Sequence, residues 1–140
     1  MNRNFIGRED DYLTKEVATK KAPNAVGPYS QAVQTGNTLY CSGQIGLEPT
    51  TGKLVSADVV DQATQALHNL REVVKAAGFN FDDIVKVTVF MANIADFGKV
   101  NQVYDQFFGG AEVLPARSAV GIAGLPLGAQ VEIEAIAVKD

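Results

Sequence analysis

At 140 residues, 46% apolar and 20% charged, the chain has the size and make-up of one domain around one sizeable core, with too little charge for disorder. A net charge of −4 and a pI near 4.9 argue against a partner whose phosphates must be neutralised, and Lys20-Lys21 is the only adjacent basic pair. One cysteine (Cys41) excludes an intrachain disulfide framework, one histidine leaves too few ligands for a conventional zinc site, and no apolar run approaches the ~20 residues that cross a bilayer.

Met1 to about Leu13 shows no periodicity and reads as a flexible leader; Glu16–Thr19 could be a short first strand, so residues 1–19 precede a single domain over 20–140. The N-terminus lacks the apolar core of a signal peptide, and Glu9, Asp10 and Asp11 speak against a transit peptide, leaving the cytoplasm as the expected compartment. Ala22–Pro28, with two prolines and a glycine, is a restricted loop closed by Tyr29. Two strands, Ser30–Thr35 and Leu39–Ile45, follow around a Gly36-Asn37 hairpin turn, and Glu48–Gly52 turns again.

Asp58–Ala77 predicts a helix. Val59, Val60, Ala63, Ala66, Leu67, Leu70, Val73, Val74 and Ala77 build one apolar stripe, Asp58 can cap its start, and Gly78 stands where a left-handed residue ends a helix. Ile84–Ala92 is β-branched and alternating, hence a strand. Asp96–Phe108 predicts a second helix, burying Phe97, Val100, Val103, Tyr104 and Phe107 and ended by Gly109-Gly110. The order of strands, helix, strand, helix, strands points to an α+β domain with two helices on one face of a mixed sheet. What covers the other face is left open, and self-association would answer it.

The last stretch, VLPARSAVGIAGLPLGAQVEIEAIAV from Val113 to Val138, holds two apolar runs around a Gly/Pro connector. In the second run Val131, Ile133, Ala135 and Ala137 point one way, Glu132 and Glu134 the other. Arg117 enters the first run, which looks buried. If both runs are strands of one sheet, a guanidinium and a carboxylate can share one pocket, suited to a small anion and a proton-handling reaction. A surface arginine and solvated outer-face glutamates are the bland alternatives.

This stretch closely resembles the C-terminal signature of the reactive intermediate (enamine/imine) deaminases, the RidA family, also labelled L-PSP endoribonuclease or translation inhibitor. APNAVGPYSQAV (Ala22–Val33) and LYCSGQIG (Leu39–Gly46) match the same family, so the resemblance runs from about Lys20 to the C-terminus. It implies a chorismate-mutase-like fold, assembled as a homotrimer with sites between subunits, and a cofactor-free, metal-free hydrolysis. Arg117 would clamp a substrate carboxylate by its planar fork of donors. Glu132 would orient a water, and as a carboxylate near an arginine it would have a depressed pKa and stay ionised. Tyr29, Ser42 and Gly43 would shape the pocket, Asn101 would line it, and the Ala119 carbonyl would help hold the water. Many members carry cysteine at the position of Ala119, so a thiol-dependent mechanism there is not available to this chain. Apart from the resemblance, Tyr29 reads equally as a core or interface tyrosine, Ser42-Gly43 as a small-residue bulge, Cys41 as a small strand hydrophobe, and His68 as solvated.

Three functions follow from different classes. The first is a deaminase converting short enamine/imine acids such as 2-aminoacrylate and 2-iminopropanoate to 2-keto acid and ammonia. The second is a ribonuclease, against which the acidic balance and the lack of a catalytic histidine candidate stand. The third is a non-catalytic trimer that binds 2-keto acids through the same anion pocket.

Overall fold

The computed structural model describes residues 13–140: strands β1 (Thr14–Val17), β2 (Ala32–Thr35) and β3 (Thr38–Ile45), helix α1 (Val59–Ala76), strand β4 (Ile84–Met91), helix α2 (Phe97–Phe108), and strands β5 (Ala116–Gly121) and β6 (Val131–Val138). The leader expected ahead of the domain lies, up to residue 12, outside the described residues. The first strand, expected at Glu16–Thr19, instead begins at Thr14 and pairs antiparallel with β2.

Helix α1 starts and stops where its side chains dictate. The Asp58 carboxylate accepts the Val60 and Asp61 amides at 2.7 and 3.2 Å, satisfying donors that the first turn leaves free. At the other end Gly78 takes φ 80°, a conformation that costs glycine little. The stripe of Ala63, Ala66, Leu67, Leu70, Val73 and Val74 is buried, whereas Val60 points outward. Truncating Leu67 or Leu70 to alanine would cost ~2–5 kcal/mol. Asn69, also buried, donates to the Ile45 and Leu47 carbonyls at 3.3 and 2.9 Å, which ties α1 to the end of β3.

The six strands form one sheet in the order β1-β2-β3-β6-β4-β5. Helix α2 carries the chain from β4 back across the sheet, so β5 lies parallel to β4, whereas β6 inserts antiparallel between β3 and β4. The sheet is therefore mixed, with α1 and α2 packed on one face over Val87, Val89, Met91, Val131, Ile133, Ala135 and Ala137. That agrees with the α+β arrangement read from the sequence. The opposite face presents Tyr40, Val85, Val120 and Val138 to solvent.

Two details differ from expectation. In α2 the buried positions are Val100, Val103, Tyr104 and Phe108; Phe97 is exposed and Phe107 half-buried. Phe108 is drawn inside because it stacks on both Phe81 and Tyr104, with ring centroids 4.5 and 4.4 Å apart. The run containing Arg117 is also not buried. It forms β5, the last strand of the sheet, and Ala119 is its one half-buried residue.

Candidate active site

Strand register fixes where Arg117 points. Arg117 is paired with Val87 and, through it, with Ala135, so all three side chains lie on the helix-covered face. Being on the edge strand, Arg117 is roofed not by the core but by the flank of α2. There Phe97, Asn101 and Tyr104 follow one another at helical spacing on one side. Nη1 of Arg117 donates to Asn101 Oδ1 at 2.7 Å, and the guanidinium carbon lies 4.6 Å from the Tyr104 ring centroid and 5.6 Å from that of Phe97. The side chain stays exposed, so the remaining donors of the fork face outward. An open cleft of about 350 Å³ in front of it is bounded by Asn101, Tyr104, Asp105, Leu114 and Pro115, while Ala119 lines a small hollow behind.

Glu132 is built on the other side of the sheet. It pairs with Ile45 of β3 and with Phe90 of β4, which in turn faces Val120. The β3 register slips between Cys41 and Gln44, and this bulge holds Ser42 and Gly43. A methyl group on Gly43 would lie 2.5 Å from Glu132 Oε1, so only glycine leaves room for the carboxylate where it stands. The Ser42 amide donates to Gln31 O at 2.9 Å and its hydroxyl to Ser30 O at 2.6 Å. That hydroxyl proton is committed, and the oxygen is left to accept. Tyr29 precedes Ser30 and is 52% exposed, its amide turned back onto Gly27 O at 2.8 Å. The loop below it is pinned by buried Gln31, which takes the Thr19 amide at 2.7 Å and donates to the Thr19 and Pro23 carbonyls at 3.0 and 2.7 Å.

The electrostatics of Glu132 run opposite to the expected depression. Its pKa is raised, first by burial and then by the negative charge of Glu134 two residues on. Arg117 exerts no compensating pull, because the two side chains leave opposite faces of the sheet and β4 runs between their strands. The single-pocket arrangement expected of Arg117 and Glu132 therefore does not occur within one chain. The expected residues fall into two separate clusters instead. Arg117, Asn101 and Ala119 gather beside α2; Tyr29, Ser42, Gly43 and Glu132 gather around the β3 bulge. The sequence reading missed the aromatic brace of Phe97 and Tyr104, although their spacing around Asn101 carried the signal. Cys41 is buried and its thiol pushed up to about 12 by burial, as suits a strand hydrophobe, and His68 is exposed, edge-on to Phe107 at 5.1 Å. Among the described residues no three His, Cys, Asp or Glu side chains gather to hold a metal ion, and no helix is long and apolar enough to cross a membrane.

Known proteins share both sequence and fold with this chain. The profile of the family described as Endoribonuclease L-PSP matches residues 19–139. The 2-iminobutanoate/2-iminopropanoate deaminase of Mus musculus is 54% identical over 127 residues, which is 91% of this chain and 93% of that protein. RidA from an Antarctic Psychrobacter superposes with a TM-score of 0.85 at 42% identity, covering 89% of this chain and 99% of that one. The E. coli protein TdcF, solved with bound serine, gives 0.86 at 46% identity over 90% and 99%. This match in sequence and fold across nearly the whole domain makes the chain a member of the L-PSP, or RidA, family.

Proposed function

We propose that this protein is a hydrolytic deaminase of short 2-imino acids and their enamine tautomers, with each site formed between neighbouring copies of a homotrimer. The observation that carries the reaction is the likeness, over 91% of the chain, to a relative named for that activity. The geometry supports the chemistry. An outward-facing guanidinium already braced by Asn101 is a ready partner for a small carboxylate. The proton acceptor is Glu132: burial and Glu134 raise its pKa within one chain, and the Arg117 guanidinium that a neighbouring copy brings to the site opposes that rise and favours the ionised form.

Arg117 holds the substrate carboxylate, with Tyr29, Ser42 and Gly43 walling the pocket and Asn101 and the Ala119 carbonyl beside it. Glu132 draws a proton from water as the oxygen adds to the imine carbon, breaking the C=N π bond toward nitrogen. The nitrogen takes that proton to become an amine; the hydroxyl of the tetrahedral adduct then passes its own proton through Glu132 to that amine, C=O forms as C–N breaks, and ammonia leaves a 2-keto acid. An imine is already electrophilic, so the residues need no cofactor. Because Arg117 and Glu132 leave opposite faces of one sheet, the Arg117 edge of one copy completes the Glu132 face of the next. The exposed apolar side chains Tyr40, Val85, Val120 and Val138 supply a surface for that packing. The lone buried thiol of Cys41 fits the cytoplasm.

The test is 2-keto acid release from 2-aminoacrylate generated in situ, against the spontaneous rate. Arg117→Ala, at an exposed position, is expected to fold and assemble normally and to lose about 10²-fold or more in kcat/KM. Wild-type kcat/KM in that variant would overturn the assignment, and sedimentation at other than three times the 14.9 kDa chain mass would overturn the trimer. The description of the family favours one second reading, an endoribonuclease. RNA cleavage lost in Arg117→Ala would support it; equal cleavage by both samples would indicate a contaminant.

A further inference from the structure

Tyr104 has no part in the scheme above, yet it stands against the residue on which the scheme turns. It is 8% exposed, and Phe108 stacks on it with centroids 4.4 Å apart and planes inclined by 28°. The Arg117 guanidinium carbon lies 4.6 Å from the same centroid. One ring face cannot hold both neighbours at those distances, so Phe108 backs one face and the guanidinium rests on the other. Phe108 is itself backed by Phe81. The cation thus lies at the end of a stack of three rings rooted in the core, within the ~6 Å over which a ring face attracts a cation. Asn101 takes one of the five donors and Phe97 stands at 5.6 Å.

An exposed arginine on an edge strand otherwise has a long, freely rotating side chain, and a ligand would have to order it on binding. We propose that the Tyr104 ring is a positioning residue for the carboxylate clamp, fixing the plane of the Arg117 guanidinium so that its free edge meets the substrate already ordered. The deaminase reading supplies the identity of the anion; the bracing of Arg117 does not depend on it. The role belongs to the ring. The hydroxyl is buried and has no hydrogen-bond partner among the described residues, so phenylalanine should serve as well. The charge of Arg117 also reaches the phenol, partly opposing the rise that burial gives its pKa.

A plain core aromatic would show the same burial, so the test must keep shape while changing π density. Tyr104→Phe is compared with di- and tetrafluorophenylalanine at the same position, which nearly preserve ring shape but drain the negative face. In the unliganded protein, ¹⁵N resonances of the Arg117 guanidinium, assigned by their loss in Arg117→Ala, report rotation about Nε–Cζ. Rotation is expected to be slow in wild type and Tyr104→Phe and to quicken stepwise with fluorination. With imino acid substrate, KM should rise about fivefold at the tetrafluoro ring while kcat stays within about twofold. Rotation that is flat across the series, or equal losses in Tyr104→Phe and the fluorinated proteins, would overturn the proposal. Absence of turnover in the wild type would defeat the deaminase reading alone, because guanidinium rotation would still decide the role of Tyr104.

Discussion

Gly43→Ala isolates the carboxylate half of the site. The added methyl would lie 2.5, 2.7 and 2.8 Å from Glu132 Oε1, Cδ and Cγ, against the ~3.5 Å at which such atoms sit comfortably. Gly43 does not hold a left-handed backbone, so alanine brings no strain of its own. What must move is the half-exposed Glu132 side chain from Cγ outward, by rotation about Cα–Cβ, which shifts its carboxylate by at least about 1 Å. Stability should therefore change by less than ~1 kcal/mol, whereas a reacting group misplaced by ~1 Å can lose ~10² in rate. The assay is 2-keto acid release at saturating imino acid, with urea denaturation of the same samples. A kcat reduced roughly 30- to 100-fold at nearly unchanged stability is expected. If Gly43→Ala turned over within about threefold of wild type, Glu132 would not be the group that meets the reacting water.

If Glu132 takes the proton from water it must be ionised, so kcat should fall as pH decreases through its pKa, which burial and Glu134 raise and a neighbouring copy's Arg117 opposes. Since the fold favours the protonated form, the stability that Glu132 contributes is fully present below its unfolded pKa and is lost as pH rises through the folded value. Glu134→Gln removes the second cause of the shift, so the acid limb of the kcat profile should move to lower pH; an unmoved limb would refute the coupling. Separately, Leu127 is 67% exposed and held at φ 58°, ψ 20°, where a side chain with a Cβ is strained by ~1–2 kcal/mol. Leu127→Asn should stabilise the protein by about 1 kcal/mol in urea, and an unchanged or lower midpoint would refute the strain argument.

Local chemistry made much of this legible in the chain. The alternation of Val131–Val138 depends only on which side each residue faces, and Asp58 and Gly78 mark the ends of α1 by their own hydrogen bond and backbone angle. Partners brought together by strand order were not legible. Alternation assigns Arg117 and Glu132 each a side of its own strand, but it does not reveal that β4 runs between them or that the two sides are opposite. The raised pKa of Glu132 was only partly visible: Glu134, two residues on, shares its face in the sequence, but burial, the larger cause, follows from the packing around the strand. The spacing of Phe97, Asn101 and Tyr104 gave a helix face but not the strand beneath it, so Phe97 passed for core, and Tyr104, buried as expected, gave no sign that it also faces a guanidinium. Gly43 is visible as a glycine in a strand, yet its closeness to Glu132 arises only from the slip between Cys41 and Gln44.

The opposed faces of Arg117 and Glu132 carry a genetic consequence. If neighbouring copies complete one another's sites, a chain lacking the arginine spoils the site to which it lends that edge and can still donate an intact carboxylate elsewhere. Two inactive alleles, Arg117→Ala and Glu132→Gln, should then complement when expressed together, because some junctions in a mixed ring pair the sound edge of one with the sound face of the other. Either allele alone beside wild type would reduce activity only in proportion to gene dose, because each junction draws one arginine and one carboxylate and only one of the two can then be missing.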